Sequence, residues 1–96
     1  MSLIHDTESV TLAERRDLIA RFIAPDPHHP GVAHHQVRDV AVSVWALVAY
    51  YDAVGHDLNQ VAYDYDITVE QVRAALAFYA EHVDTIDAYL RSRQVA

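Results

Sequence analysis

The sequence predicts a mainly α-helical domain organised around a helix-turn-helix over residues 58–77. Apolar residues recur at helical spacing on both sides of a short interruption at Asp66. A small residue, Ala62, stands where the second helix must cross closely over the first. Thr68 and Gln71 then form the capping-box pattern that starts a helix. We expect four to five helices, one short β-strand and pairing of the domain in a dimer.

The turn of this motif requires a residue that accepts a left-handed backbone. Asp66 occupies the turn, and Asp is one of the few non-glycine residues that adopt this conformation at modest cost. Ile67 follows and is expected to fill the corner between the two helices. The inward positions are predicted to be Val61, Ala62, Val72, Ala75 and Leu76. An ordinary helical hairpin has the same apolar pattern and is the alternative interpretation.

Composition restricts the class of protein. Ninety-six residues can bury one modest core, and an apolar fraction of 52% is typical of a globular chain. The absence of cysteine excludes disulfides and thiolate metal sites and suits a reducing cytoplasm. No apolar run approaches the roughly 18 residues of a membrane span, and the start of the chain, with Asp6 and Glu8, does not resemble a signal peptide. We therefore expect a cytoplasmic protein with no membrane partner.

The chain is strongly acidic. Its formal net charge is −7, and all of its basic residues are arginines. Between residues 57 and 90, Arg73 is the single basic residue among these acids: Asp57, Asp64, Asp66, Glu70, Glu81, Asp84 and Asp87. Because DNA affinity rests largely on neutralised phosphates, the chain should bind DNA weakly by itself. An acidic surface more readily associates with a basic protein.

The N-terminal part begins with residues 1–10, which are polar and expected to be frayed. Thr11 and Glu14 form a second capping-box pattern, at the head of an amphipathic helix predicted at about 11–24. Pro25 ends this helix.

A loop rich in proline and histidine follows the first helix. All three prolines and one of the two glycines lie within residues 25–31, which indicates a linker or an ordered loop. We therefore divide the chain into an N-terminal extension, residues 1–29, and a helix-turn-helix domain, residues 30–96.

A short strand is predicted after this loop. Val40, Val42 and Val44 alternate with polar or small residues, as in a β-strand. A strand needs a partner, and the candidates are the neighbourhood of Val32 or the same strand of a second copy. The second possibility is one reason to expect a dimer.

Two more helices complete the prediction. Ser43 can cap a helix that ends at Gly55 and is apolar almost all round, so this helix should be central or lie at an interface. The last helix is predicted to run unbroken from Val69 to about Arg93, with an apolar stripe at near-heptad spacing. The residues predicted to form a dimer or partner interface are Val40, Val42, Trp45, Tyr79, Val83, Ile86 and Leu90.

Candidate DNA contacts lie mainly on the second helix of the motif. The positions expected to face a DNA groove are Thr68, Glu70, Gln71, Arg73, Ala74 and Ala77. Arg73 can hold guanine or a phosphate, and Gln71 can pair with adenine. The alternative for Arg73 is a solvated side chain paired with Glu70 one turn away. Arg38 is a further candidate contact.

The histidines have two interpretations. His28, His29, His34 and His35 lie close together in the sequence. With Asp26 nearby they could bind Zn²⁺ or Ni²⁺, although no helical HxxxH spacing supports a chelate. The other interpretation is an exposed loop that gains positive charge below about pH 6.5.

We expect neither enzymatic activity nor a cofactor. The sequence contains no glycine-rich phosphate loop, no nucleophile elbow and no Cys/His pair.

The segment DYDIT at residues 64–68 is followed by VRAAL at residues 72–76. With these segments, residues 30–90, about two-thirds of the chain, resemble the bacterial family catalogued as domain of unknown function 433. The residues that match the family pattern are Arg38, Val42, Val44, Trp45, Gly55, Val61, Ala62, Asp64, Tyr65, Thr68, Val72, Ala74, Ala75, Leu76 and Tyr79.

The resemblance implies a small homeodomain-like or winged-helix-like fold. It also implies an antitoxin-like protein that binds a PIN-like ribonuclease and regulates its own operator. One loop departs from the family, whose Gly-Thr-Arg is replaced here by Asp39, Val40 and Ala41 and whose Pro is replaced by Ser43. Any contact that this loop makes in the family is expected to differ here.

Two hypotheses about function follow. In the first, a dimeric helix-turn-helix protein neutralises a basic nuclease through its acidic helices and binds its operator weakly, better together with the nuclease. In the second, the motif is only a scaffold, and the last helix and the Trp45 helix form an oligomer or bind a partner protein without DNA.

Overall fold

The structure, a computed structural model, describes residues 11–95. The prediction that residues 1–10 are frayed lies outside the described residues. The helices are α1 (Leu12–Phe22), α2 (Val44–Ala53), α3 (Leu58–Tyr65), α4 (Val69–Glu81) and α5 (Val83–Val95), with a 3₁₀ turn at Val32–His34. The strands β1 (Ile23–Ala24), β2 (Gln36–Val37) and β3 (Val42–Ser43) form an antiparallel sheet in the order β1-β2-β3. The predicted fold class, mainly α with a short strand component, is confirmed.

Helix α4 lies at the centre of the molecule. It packs against all four other helices and against strands β1 and β2. The largest side chains that are completely buried come from five different elements and meet around it: Leu47, Ile86, Val37, Val44, Val61 and Val72. Because most of its circumference is covered, α4 can present only a narrow face to a ligand.

The turn between α3 and α4 has the local geometry that the sequence predicts. Asp66 is left-handed, with φ 56° and ψ 46°. The backbone N–H of Ile67 donates a 3.0 Å hydrogen bond to the carbonyl of Ala62, which is 6% exposed. At the start of α4, Thr68 and Gln71 form both hydrogen bonds of the capping box, at 2.8 and 3.1 Å.

Helix α1 is capped as predicted but is only loosely covered. Thr11 and Glu14 form a complete capping box, yet no residue of α1 is fully buried and Leu12 is 51% exposed. The helix ends at Phe22 rather than at residue 24, because Ile23 and Ala24 pair with β2.

The residues predicted to form a single strand belong to a hairpin of two strands, β2 and β3. Val42 pairs with Val37 of the same chain, so the sheet is completed without a second copy. The chain reverses between these residues, where Asp39 and Ala41 adopt positive φ angles of 69° and 54°. Alternation of apolar and polar residues continues through the turn, which explains why the pattern resembled one strand. At this turn, Val40 is 40% exposed.

The prediction of one unbroken last helix is wrong. The helix ends at Glu81, and His82, with φ −138° and ψ 36°, separates it from α5. No proline or glycine marks the break. Its physical reason is burial: redirecting α5 brings Ile86 into the core, where it is 0% exposed.

Candidate functional site

Most of the predicted DNA contacts have other roles in the structure. Thr68 and Gln71 lie together, but both side chains are engaged in the capping box of α4. The guanidinium of Arg38 donates a 3.2 Å hydrogen bond to the carbonyl of Ala20, at the end of α1. Arg73 is exposed and forms no hydrogen bond or ion pair with another residue of the range 11–95, so the alternative pair with Glu70 is not formed.

The face of α4 that was predicted to meet DNA is largely covered. Ala74 is 0% and Ala77 is 9% exposed. Helix α1 has its most extensive contact with α4, and Arg16 Nε lies 3.9 Å from Glu81 Oε2. The residues of the predicted face that remain exposed are Thr68, Glu70 and Arg73.

A groove lies beside this covered face. It is bounded by α1, α2, α4 and α5 and has a volume of ≈ 1330 Å³. Small-molecule pockets usually measure about 300–1,000 Å³, so the groove suits a segment of polypeptide better than a small ligand. Apolar side chains of all four helices line it: Leu18, Val48, Leu76, Ala77, Ala80 and Leu90. We call this feature the helix groove.

Tyr79 and two carboxylates form a polar cluster within the helix groove. The Tyr79 hydroxyl donates a 2.8 Å hydrogen bond to Asp87 Oδ1. This bond raises the pKa of Tyr79, with smaller contributions from partial burial and from the negative charges of Asp87 and Asp52. Asp52 Oδ1 lies 3.2 Å from His56 Nε2, and the His56 ring stacks on Tyr51 at 4.6 Å. Carboxylates from α2 and α5 thus act on one tyrosine of α4.

The charged residues that line the helix groove are mostly acidic. They are Glu14, Arg15, Asp17, Asp52, Glu70, Arg73 and Asp87. Asp17 forms an ion pair with Arg21 at 3.6 Å, but neither Asp52 nor Asp87 has an arginine partner among the described residues. The two carboxylates around Tyr79 therefore have no arginine counterion within the described residues.

The predicted interface residues do not form one exposed surface. Ile86 is completely buried in the chain's own core. Trp45 is half-buried beneath Arg93, whose guanidinium carbon lies 4.4 Å from the centroid of the Trp45 ring system. Val42 is half-buried and pairs with Val37 in the sheet. Tyr79 and Leu90 are half-buried and line the helix groove, whereas Val40 and Val83 are 40% and 37% exposed.

The histidines pack against aromatic rings and one carboxylate. His35 stacks on Phe78 at 4.8 Å, and His34 meets the edge of Tyr89 at 5.0 Å. His29 Nδ1 lies 3.0 Å from Asp26 Oδ2. Asp26 also accepts a hydrogen bond from the backbone N–H of His28, and this bond is the main reason that its pKa is lowered. Within residues 11–95, no three potential ligands converge as a metal site.

Sequence reasoning did not find the pairing of Tyr79 with Asp87. Eight residues apart on one straight helix, the two would lie about 12 Å apart along the axis. The break at His82 brings them within hydrogen-bond distance. The signal that could have identified the groove is the amphipathic pattern of α1, whose apolar face needs a surface to cover.

Comparison with protein families shows the family of this chain. A family model described as "Protein of unknown function (DUF433)" matches residues 29–79. The match spans the hairpin, α2, α3 and most of α4 and leaves out α1 and α5. No curated protein and no solved structure matches the chain significantly. Within residues 11–95, no helix has the length and apolar character that crossing a membrane requires.

Proposed function

Since this chain belongs to the DUF433 family, we propose that it is an antitoxin-like protein that binds and neutralises a basic, PIN-like nuclease in the cytoplasm. It has no catalytic role of its own. Its part is to cover the surface with which the nuclease binds RNA.

Uncompensated acidic charge is the observation that carries this proposal. The net charge is −7. Of the acidic residues between positions 57 and 90, Glu81 alone forms an ion pair with an arginine in the described part of the chain. A nuclease neutralises phosphates with Lys and Arg, so its substrate surface is basic. An acidic protein can compete with RNA for that surface and is attracted to it over a distance.

We expect a nuclease-like protein to be encoded beside this chain in its genome, and the test uses that protein. The two proteins should co-purify, and addition of this chain should inhibit RNA cleavage at about 50 mM salt, with weaker inhibition at about 500 mM. Absence of both a complex and inhibition at low salt would overturn the proposal. An unrelated acidic protein of the same net charge, added to the nuclease in place of this chain, controls for nonspecific inhibition.

Weak binding to operator DNA is a second part of the proposed function. Two features support it: the packing of α3 against α4 with Ala62 buried, and the exposed guanidinium of Arg73. The covered face of α4 supports only a small contact, strengthened when a basic partner is bound. A gel shift with the upstream DNA should be salt-sensitive and lost in Arg73→Ala. Arg91→Ala removes the same charge from an exposed position on α5 and should leave the shift unchanged.

No shift at low salt, with or without the nuclease, would leave the alternative: an oligomeric interaction module that does not bind DNA. That alternative and the homodimer are tested together by light scattering. A wild-type dimer that dissociates in Leu90→Glu, with wild type and variant both folded by circular dichroism, supports the oligomeric module. A monomer at all concentrations up to about 1 mM removes it.

A further inference from the structure

We infer that the helix groove binds an amphipathic helix of the partner protein, with apolar side chains on the groove floor and an Arg or Lys between Asp52 and Asp87. The inference rests on the proposed function for the identity of the partner as a basic nuclease. The binding mode itself depends only on the chemistry of the groove.

The walls of the helix groove leave apolar surface for such a helix. Helix α1 forms one wall and has no fully buried residue. Leu18 is half-buried on this wall, and Leu76 of α4 and Leu90 of α5 are half-buried and also line the groove. A helix with its side chains is about 10–12 Å across, and an apolar groove between helices is a common way to bind one. The volume of ≈ 1330 Å³ is sufficient for several side chains of a docked helix.

The charge of the groove selects a basic helix. Asp52 and Asp87 come from different helices and line the groove together with Tyr79, whose hydroxyl is hydrogen-bonded to Asp87. A guanidinium can bind a carboxylate through charge-assisted hydrogen bonds and can also lie over the face of an aromatic ring. Asp87 accepts the tyrosine hydrogen bond through Oδ1, so Oδ2 is the oxygen expected to meet the incoming cation.

The other occupants are less suited to this charge. Residues 1–10 carry Asp6 and Glu8 and contain no Lys or Arg. A second copy carries the same net charge of −7 and would be repelled. A cationic helix from a different protein is the occupant that both the apolar floor and the acidic cluster favour.

The first experiment measures binding of a defined probe. The probe is a fluorescein-labelled synthetic helix of about 18 residues, with leucines at i, i+3, i+4 and i+7 spacing and arginines flanking them. Fluorescence anisotropy should show saturable binding to the wild-type chain. Asp52→Asn/Asp87→Asn should weaken binding about tenfold or more, which corresponds to the loss of one charge-assisted contact.

A matched control separates the site from overall charge. Asp66→Asn/Asp84→Asn changes the net charge by the same amount at exposed positions that do not line the groove. Asn also tolerates the left-handed backbone of residue 66. The affinity of this control variant for the probe should be within about twofold of the wild-type affinity. Equal weakening in both double variants would mean that only overall charge attracts the probe and would overturn the inference.

A second pair of variants tests the apolar floor. Ala80 is exposed and lines the groove, so Ala80→Trp should obstruct it and weaken binding of the probe about tenfold or more. Ala88 is exposed on α5 and does not line the groove, so Ala88→Trp should bind as wild type does. Circular dichroism verifies that each variant is folded. Unchanged binding in Ala80→Trp would overturn the inference.

The nuclease assay separates this inference from the proposed function. If wild type inhibits the nuclease but Ala80→Trp inhibits it equally well, the groove is not the nuclease site and the inference fails while the function stands. If the groove variants lose the probe but wild type does not inhibit the nuclease, the groove stands and the function fails. If light scattering shows a dimer that Ala80→Trp dissociates, the occupant is a second copy and the inference is overturned.

Discussion

The hydroxyl of Tyr79 donates a 2.8 Å hydrogen bond to Oδ1 of Asp87, and this bond joins α4 to α5 across the break at His82. This bond helps to hold the C-terminal helix on the rest of the fold. Around the same break, Phe78 contacts the ring of His82 at 4.4 Å, and the backbone N–H of Ile86 bonds to the carbonyl of His82. The direction of α5 is therefore set by several local contacts as well as by burial of Ile86.

Replacing Tyr79 with Phe should destabilise the fold by about 1 kcal/mol at pH 7, because a hydrogen bond to a carboxylate is lost while the ring is retained. Urea unfolding measures the difference. Tyr63→Phe is the control, since the side chain of Tyr63 is exposed (83% for the residue) and its hydroxyl forms no hydrogen bond with another described residue. Equal stability of the Tyr79→Phe variant and wild type would show that the bond is not formed in solution.

The contribution of Tyr79 should also depend on alkaline pH. Its folded-state pKa is raised above the usual value of about 10, so the stabilisation is fully present below that value. It is lost as the pH rises through the folded-state pKa. The difference in unfolding free energy between wild type and Tyr79→Phe should shrink above about pH 10. A difference that stays constant to pH 11.5 would contradict this assignment.

Ile86→Ala should destabilise the chain by about 3 kcal/mol, because it leaves a cavity in the core. Val83→Ala removes an apolar side chain from the first turn of the same helix, where Val83 is 37% exposed, and should cost less than about 1 kcal/mol. Thermal or urea unfolding compares the two. If both cost the same, or if Ile86→Ala changes only an oligomeric state, the placement of Ile86 is wrong.

The left-handed turn can be tested with glycine and alanine. At position 66, where φ is 56°, Gly should be more stable than Ala by about 1 kcal/mol. At position 84, in the first turn of α5, the order should reverse, with Ala more stable by about 1 kcal/mol. Unfolding of the four variants measures both differences. Ala at position 66 that is as stable as Gly, or more stable, would show that residue 66 is not left-handed.

Acid pH should reveal the bond between Tyr50 and Asp64, which joins α2 to α3. The Tyr50 hydroxyl is the main cause of the lowered pKa of Asp64, followed by hydrogen bonds from Gln60. A lowered folded-state pKa stabilises the fold above the unfolded value near 3.9, and the stabilisation is lost as the pH falls through the folded-state pKa. Wild type should therefore exceed Tyr50→Phe in stability at pH 6, and the gap should narrow as the pH falls below the unfolded value of about 3.9. A gap that does not narrow as the pH is lowered through the acid range would contradict the assignment.

Local features of this fold were predictable from sequence because each depends on a few adjacent residues. The capping boxes at Thr11 and Thr68 need a hydroxyl and a Glu or Gln three residues later. The turn at Asp66 needs a residue that tolerates positive φ. The end of α2 needs Gly55, which adopts a φ of 70°. No distant contact has to be known to place these features.

Only the tertiary structure decided the direction of α5 relative to α4, the strand with which Val42 pairs and the position of α1. Each of these depends on residues far apart in sequence, since burial of Ile86 redirects a helix that local propensity would continue. The helix groove exists only because those long-range contacts bring four helices together. The sequence by itself determined the capped helix starts, the left-handed turn at Asp66, the family and the acidic charge, because none of these requires packing. The tertiary structure decided which acids lie near Tyr79 and which face of α4 is covered.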